Sequence, residues 1–131
     1  MIKATALIVD DERDIRELLS LALARMGLSS QAAGTLLEAK TLLAAQRFDV
    51  CLTDMRLPDV SGIELIEYIA QHHPSLPIAM ITAYGDVQSA VSALKLGAFD
   101  FVSKPVDLGE LRQIVQRGLL LGANAAQTGS E

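Results

Sequence analysis

Short apolar runs alternate five times along this chain with longer segments whose apolar residues recur at helical spacing. The runs occupy residues 5–9, 29–33, 50–53, 78–81 and 99–102. Continuous apolar runs of this length are typical of parallel strands that are covered on both faces. Because repeated strand-helix units join parallel strands through right-handed crossovers, the alternation predicts an α/β fold with five parallel strands and five helices.

Capping residues indicate where the predicted helices begin and end. Three segments open with a capping residue followed three places later by glutamate: Thr35 with Glu38, Ser61 with Glu64, and Asp107 with Glu110. Such a pair satisfies free amides in the first helical turn. Asp86 is predicted to cap the fourth helix, and Gly27 and Gly97 lie where two helices are expected to end.

Length and composition narrow the class of protein. The 131 residues fit one domain, and an apolar content of 50% excludes a chain that is disordered throughout. The net charge of -5 argues against nucleic-acid binding by this domain itself, because phosphate backbones attract basic surfaces. We expect a domain over residues 4–121 and a linker or disordered tail over 122–131. Since no apolar run reaches the roughly 18 residues of a membrane span, we expect a cytoplasmic protein.

Polar side chains follow four of the five predicted strands. They are the acidic run of Asp10, Asp11 and Glu12, then Asp54, Thr82, and Lys104 between Ser103 and Pro105. In an open parallel sheet the carboxyl ends of the strands share one edge, and ligands bind there. We therefore expect carboxylates, a hydroxyl group and an ammonium group to converge on one site.

Crowded carboxylates favour either a retained proton or a bound cation. Lys104 can offset part of this charge, and magnesium fits the rest, because it takes one or two carboxylates and keeps several waters. The chain has no Cys/His cluster for a softer metal. A cation, an ammonium group and a hydroxyl group together stabilise phosphoryl oxygens. We interpret Asp54 as a nucleophile that accepts a phosphoryl group as an acyl phosphate.

These residues resemble the receiver domain of two-component response regulators. The matching segments are residues 7–12, residues 52–58 with Gly62, Thr82 with Ala83, and Lys104 with Pro105. The resemblance covers residues 4–121 and implies a single-domain, flavodoxin-like (βα)5 doubly wound parallel sheet with strand order 2-1-3-4-5. Residues 52–58, 80–85 and 97–107 look most like the nitrogen-regulation and pilin-expression class of sigma-54-dependent transcriptional activators.

For the chemistry, the resemblance implies that Asp54 takes its phosphoryl group from a phosphohistidine of a sensor histidine kinase. It implies that Mg²⁺ is bound by the side chains of Asp11 and Asp54 and by the backbone carbonyl of Arg56, with Asp10 holding it through water. Lys104 would pair with a phosphoryl oxygen. Such a domain catalyses only its own phosphoryl uptake and slow dephosphorylation, so we do not expect an enzyme in the metabolic sense.

For the response, the resemblance implies that Thr82 hydrogen-bonds the phosphoryl group and that Phe101 turns inward as Thr82 moves. The peptide bond before Pro105 would be cis and would fix the direction of Lys104. The fourth helix, fifth strand and fifth helix would form the output face, since Thr82 and Lys104 border them. That face would contact a linked output module or a homodimer partner, with transcription activation as the result.

Other functions stay open on the sequence. A free-standing receiver or phosphorelay intermediate would lack a DNA-binding output, and a receiver-like module without phosphorylation would have no need of the acidic, lysine and threonine set. A magnesium-dependent aspartyl phosphatase needs a second aspartate two places after the first, where this chain has Arg56. A nucleotide or flavin binder needs a glycine- or hydroxyl-rich loop after the first strand, where Asp10, Asp11 and Glu12 repel phosphate unless a metal intervenes.

Several other residues have plainer interpretations. Phe101 is by default core filling in a strand. His72 and His73 are expected to complement the dipole at the end of the third helix, and Cys51 is expected to be a small buried hydrophobe. Four charged residues of the first helix are expected to form a solvated face that a kinase can contact: Arg13, Asp14, Arg16 and Glu17.

Overall fold

A computed structural model describes residues 3–83 and 85–129, with the backbone alone for residues 124–129. Strands and helices alternate strictly, as the sequence pattern predicts. In chain order the elements are β1 (Thr5–Val9), α1 (Arg13–Arg25), β2 (Ser29–Ala33), α2 (Leu36–Ala45), β3 (Val50–Asp54), α3 (Gly62–His72), β4 (Ile78–Thr82), α4 (Val87–Leu96), β5 (Asp100–Ser103) and α5 (Leu108–Gly129).

All strand pairs are parallel, and the sheet order is β2-β1-β3-β4-β5. The predicted flavodoxin-like topology is therefore confirmed. The order reverses direction between β1 and β3, which is where open sheets of this kind form their ligand crevice. In the β3–β4 register Asp54 pairs with Ile81, so Thr82 lies one place beyond the partner of Asp54.

Two separate apolar clusters fill the two faces of the sheet. Successive residues of β1 point to opposite faces, so Leu7 belongs to one cluster and Ile8 to the other. Helices α2, α3 and α4 cover the Leu7 side, and α1 and α5 cover the Ile8 side. Burial on both faces explains why β1, β3 and β4 read as continuous apolar runs, whereas the edge strand β2 is mostly exposed and more polar.

The predicted caps are present at four helix starts. The side chain of Thr35 accepts a hydrogen bond from the Glu38 amide at 3.1 Å, and that of Asp107 accepts one from the Glu110 amide at 2.9 Å. Asp86 caps α4 in the same way through the Ser89 amide, whereas Ser61 caps α3 by accepting from the Ile63 amide and not from that of Glu64. Gly27 and Gly97, with φ of 87° and 125°, follow the ends of α1 and α4, as expected for residues that must adopt positive φ.

Several element boundaries differ from the sequence-based expectation. Strands β3, β4 and β5 each end one residue later than predicted, at Asp54, Thr82 and Ser103. Strand β5 begins at Asp100, one residue later than predicted, and Phe99 packs beside it against the α1–α5 cluster. Helix α5 continues to Gly129, through most of the segment predicted as a linker or disordered tail. Alanine and glutamine have high helix propensity, so a segment that contains them can extend a helix even though its small and polar composition resembles that of a linker. That the segment is a linker stays a prediction, and residues 130–131 lie outside the described residues.

Two further structural findings bear on the expectations. Cys51 is fully buried, as predicted, and burial raises the pKa of its thiol. Within residues 3–83 and 85–129, no helix combines the length and the apolar character that crossing a membrane requires.

We expect Gly118→Ala to destabilise the domain. A Cβ at this buried position of α5 would lie 2.8 Å from Cζ of Phe99 and 2.9 Å from Cγ2 of Val50. Overpacking of this kind costs about 1–3 kcal/mol, which exceeds the gain of about 1 kcal/mol from replacing glycine within a helix. Urea denaturation should show a lower midpoint. Gln116→Ala, an exposed change on the same helix, should stay within about 0.5 kcal/mol of the wild type. An unchanged or higher midpoint for Gly118→Ala would contradict the packing described here.

Candidate functional site

Four carboxylate side chains meet at the carboxyl edge of the sheet. Oxygen atoms of Asp10, Asp11, Glu12 and Asp54 all lie within 4.8 Å of one another. Asp10 and Asp54 are buried, whereas Asp11 and Glu12 are exposed. The first three follow β1 and Asp54 ends β3, so the adjacent pairing of these two strands brings the four groups together.

Lys104 supplies the cation that faces this acidic group. Its Nζ lies 3.2 Å from Oδ2 of Asp54, 3.2 Å from Oε1 of Glu12 and 3.6 Å from Oδ2 of Asp10. Burial, the largest influence, lowers the pKa of Lys104, but hydrogen bonds and charges from Asp54, Asp10 and Glu12 together raise the pKa above its usual value. The lysine is therefore a fixed positive charge. The peptide bond that joins it to the exposed Pro105 is cis, as the resemblance implied.

Among the four carboxylates, Asp10 is the one whose charged form is disfavoured by its surroundings. Its Oδ1 accepts a hydrogen bond from the Glu12 amide at 2.8 Å, while Oδ2 is buried without a hydrogen-bond partner among the described residues. The pKa of Asp10 is raised to about 6, because burial and, to a smaller extent, the nearby charge of Asp54 outweigh the lowering effect of the hydrogen bond from the Glu12 amide. A buried carboxylate oxygen without a donor is costly unless a proton or a cation supplies the missing positive charge.

The site fits a hard divalent cation. Its donors are oxygens, one of which is buried and unpartnered, and magnesium binds through a few carboxylates while keeping waters. A cavity of about 410 Å³ beside the group leaves room for those waters. Its lining includes Asp11, Asp54, Arg56 and Lys104. The residues present therefore suit Mg²⁺ better than a softer metal.

Several short contacts fix the loop that follows Asp54. The Gly62 amide donates to the Met55 carbonyl at 2.6 Å, and a Cβ at Gly62 would collide with the backbone carbonyl of Asp54. Leu57 is buried in the core, and its amide donates to the Val60 carbonyl at 3.1 Å. Only glycine fits where the start of α3 crosses the end of β3 so closely. The position of Asp54 is thus set by backbone packing.

Asp59 ties the same loop to a second element. Its carboxylate accepts from the amides of Leu36 at 3.0 Å and Leu37 at 3.3 Å, the first residues of α2. The Leu36 amide contributes most to a lowered pKa for Asp59. The arrangement places a negative charge at the positive end of a helix, which stabilises both partners.

The predicted switch residues Thr82 and Phe101 lie on the adjacent strands β4 and β5. Thr82 ends β4, is buried, and its Oγ1 donates to the Val102 carbonyl at 3.5 Å. Its own carbonyl accepts from the Lys104 amide at 2.8 Å. Phe101 is half-buried and packs against the cluster under α2, α3 and α4. Arg56 is exposed and lines the cavity.

Three residues at or near the site make contacts that were not predicted from the sequence. Glu12 pairs with Lys104, and its place in the acidic run is a signal for this. Arg16, expected on a solvated helix face, instead is half-buried and bonds to the backbone of Asp10. That expectation is wrong for Arg16, because the helix rotation turns this side chain back over the loop. For Asp59 no local signal exists, since its partners lie 22 and 23 residues away.

A comparison with protein-family models assigns this architecture. The model described as the response regulator receiver domain matches residues 6–116. The chain belongs to the response regulator receiver domain family. The predicted family is thereby confirmed, together with its fold.

Curated relatives place the receiver within a class. The chain is 59% identical over 121 residues to the response regulator protein PilR of Pseudomonas aeruginosa, covering 92% of this chain and 27% of that protein. It is 40% identical over 112 residues to the DNA-binding transcriptional regulator NtrC of Escherichia coli, covering 86% and 24%. The chain thus spans about a quarter of the length of these relatives. The predicted resemblance to receivers of the nitrogen-regulation and pilin-expression class of activators is confirmed.

Solved structures agree with the receiver assignment. A putative response regulator from Chloroflexus aurantiacus superimposes with a TM-score of 0.88 at 32% identity, covering 91% of this chain and 99% of that chain. NtrX from Brucella abortus, solved in complex with ADP, gives a TM-score of 0.92 at 30% identity, covering 98% of this receiver and 30% of that chain.

We expect Asp10→Asn to stabilise the metal-free receiver at pH 8. With its pKa raised to about 6, Asp10 binds a proton more tightly in the folded than in the unfolded state. The wild type therefore loses stability as pH rises from about 4 through about 6, whereas the asparagine variant has no such dependence. Thermal unfolding in EDTA should show a difference of about 3 kcal/mol above pH 6 that disappears below pH 4.

Asp11→Asn is the matched control for this measurement, because it removes an exposed carboxylate from the same group. It should change the metal-free stability much less. Equal unfolding temperatures of the wild type and Asp10→Asn at pH 8 would show that burial of the Asp10 charge carries no cost.

Proposed function

We propose that this receiver is a phosphorylation-activated signalling switch in which Asp54 accepts a phosphoryl group from the phosphohistidine of a sensor histidine kinase. The observation that carries the proposal is the position of Asp54. Its carboxylate ends the central strand, lies 3.2 Å from the ammonium group of Lys104, and belongs to a group of four carboxylates with oxygen-only donors. This is a nucleophile beside fixed positive charge, at the edge where such sheets bind ligands.

In the transfer step, a carboxylate oxygen of Asp54 forms a bond to phosphorus while the phosphorus–nitrogen bond of the donor breaks. The imidazole of the donor leaves with that electron pair. Lys104 is placed to pair with a phosphoryl oxygen, which stabilises the charge on the transferring group. Bound Mg²⁺ supplies further positive charge for the phosphoryl oxygens.

The proposed ligands for Mg²⁺ are the side chains of Asp11 and Asp54 and the backbone carbonyl of Arg56, with Asp10 acting through water. The buried, unpartnered Oδ2 of Asp10 supports this assignment, as does the lining of the cavity by Asp11, Asp54 and Arg56. A site of one or two carboxylates plus waters exchanges its metal readily.

The response is proposed to run from Thr82 to the α4-β5-α5 face. The phosphoryl group adds about -1.5 to -2 charge and three acceptor oxygens, which favour a conformer with the Thr82 hydroxyl close to them. Phe101 then turns inward beside Thr82. Exposed apolar side chains on α4, among them Val87, Val91 and Leu94, give this face the character of a contact surface.

The proposed consequence is control of a linked output module, with activation of transcription as the result. The similarity to PilR and to the DNA-binding transcriptional regulator NtrC supports this. The α4-β5-α5 face would contact that module or a homodimer partner. The acidic receiver itself would make no contact with nucleic acid, in line with its net charge of -5. We place this switch in the cytoplasm.

Acetyl phosphate with Mg²⁺ tests the phosphoryl transfer. Intact-mass spectrometry should show a gain of about 80 Da at one site, and Asp54→Asn should abolish it. Asp59→Asn is a control with the same chemical change outside the acidic group, and it should still gain the mass. Repeated turnover of acetyl phosphate without an accumulating adduct would instead indicate an aspartyl phosphatase. No mass gain in the wild type would contradict the proposed function.

Thr82→Ala should separate phosphorylation from the response. The variant should still accept the phosphoryl group on Asp54, because its carboxylate and Lys104 are intact. It should lose a charge-assisted hydrogen bond of about 1.5–3 kcal/mol, which reduces the conformational shift about tenfold or more. Analytical ultracentrifugation with and without acetyl phosphate measures the resulting change in self-association. Thr41→Ala, an exposed change on α2, should respond as the wild type does. A full response from Thr82→Ala would contradict the assigned role.

A further inference from the structure

Arg16 reaches from α1 back over the loop that carries the acidic residues. Its Nη1 donates a hydrogen bond to the backbone carbonyl of Asp10 at 2.8 Å, and the side chain is half-buried. Arg13, one turn earlier on the same helix, makes an ion pair only with Glu17 among the described residues, with 81% of its side chain exposed. The two arginines of α1 therefore have different surroundings. Of the two, only Arg16 contacts the candidate metal site among the described residues, and it does so through the backbone carbonyl of Asp10.

The hydrogen bond from Arg16 is one of three that hold Asp10 in place. The Asp10 amide donates to the Ala33 carbonyl at 3.0 Å, and Oδ1 accepts from the Glu12 amide at 2.8 Å. With the carbonyl held by Arg16, three of the four polar groups of Asp10 have protein partners. The fourth, Oδ2, lies 3.6 Å from Nζ of Lys104, within the acidic group. The carbonyl that Arg16 holds belongs to the peptide that joins Asp10 to Asp11, so its orientation sets where both carboxylates point.

The fold leaves a space for this guanidinium group. A Cβ at Gly34, between β2 and α2, would lie 3.2 Å from Nη1 of Arg16 and 3.3 Å from Oε1 of Glu38. The Gly34 amide donates to that same glutamate oxygen at 2.7 Å, which holds the turn in place. Arginine suits the position because its planar donors are arranged in a rigid fork, so less side-chain freedom is lost for each bond formed.

We propose that Arg16 is a positioning residue for the Mg²⁺ site. It acts through the carbonyl of Asp10 and holds the peptide between Asp10 and Asp11 in the orientation that directs both carboxylates toward the cation. Partners outside the ligand shell that orient ligands typically change metal affinity 10- to 100-fold when they are removed. The proposal rests on the proposed function, because it assumes that the acidic group binds Mg²⁺.

Titration of the receiver with MgCl₂ alone, followed by the shift in unfolding temperature, tests this role without any phosphoryl transfer. Arg16→Ala should raise the apparent Kd for Mg²⁺ about tenfold. Its rate of phosphorylation by acetyl phosphate at saturating Mg²⁺ should stay within about twofold of the wild type, because Asp54 and Lys104 are untouched. Arg13→Ala is the matched control and should leave the Kd unchanged.

Gly34→Ala provides a second variant that keeps the charge of Arg16. Its added methyl group requires Nη1 to shift by a few tenths of an ångström, which should lengthen the hydrogen bond to the Asp10 carbonyl and weaken Mg²⁺ binding in the same direction, by a smaller factor. This variant also gives a result if Arg16→Ala fails to fold.

One outcome would contradict the role of Arg16 alone, and another would contradict the proposed function as well. A wild type that binds Mg²⁺, with the same Kd in Arg16→Ala and Gly34→Ala, shows that Arg16 has a structural role only. A wild type whose unfolding temperature does not respond to Mg²⁺ and that takes up no phosphoryl group overturns the proposed function itself, and the role of Arg16 with it.

Discussion

Repulsion among carboxylates at one edge of the sheet is the constraint on which the site depends. Asp10 and Asp54 are buried beside Asp11 and Glu12, and Lys104 offers one positive charge to the four. Such an arrangement is stable only while neighbouring structure holds it and positive charge can enter. The excess of negative charge lowers the stability of the metal-free domain. The same charge attracts a cation to the pocket and so makes the chemistry that a cation supports possible there.

The fold resists this repulsion with backbone contacts. The amide of Lys104 donates to the carbonyl of Thr82, the amide of Gly62 donates to that of Met55, and Arg16 holds that of Asp10. Each of these bonds joins a strand end or loop of the site to a neighbouring element. Because the backbone carries the geometry, the acidic side chains themselves stay available for a ligand.

Much of this structure can be predicted from the sequence, and the exceptions have a common cause. Asp54, Thr82 and Lys104 are recognisable because each lies at or just after the end of a strand, and parallel strands bring such ends to one edge. The contacts of Arg16 and Asp59 depend on the rotation of a helix and on the path of a loop, which no local pattern specifies. Helix α5 is longer than expected for another reason, because small residues such as alanine are compatible with a helix as well as with a flexible segment.

The division of the core into two clusters has a consequence for how the domain can vary. The strands contribute alternate side chains to each cluster, so the layer under α2, α3 and α4 and the layer under α1 and α5 share a backbone but consist of different side chains. Substitutions in the two layers that have no partner in common are expected to be nearly additive in their effects on stability. One layer is thus free to diversify over generations while the other keeps its shape.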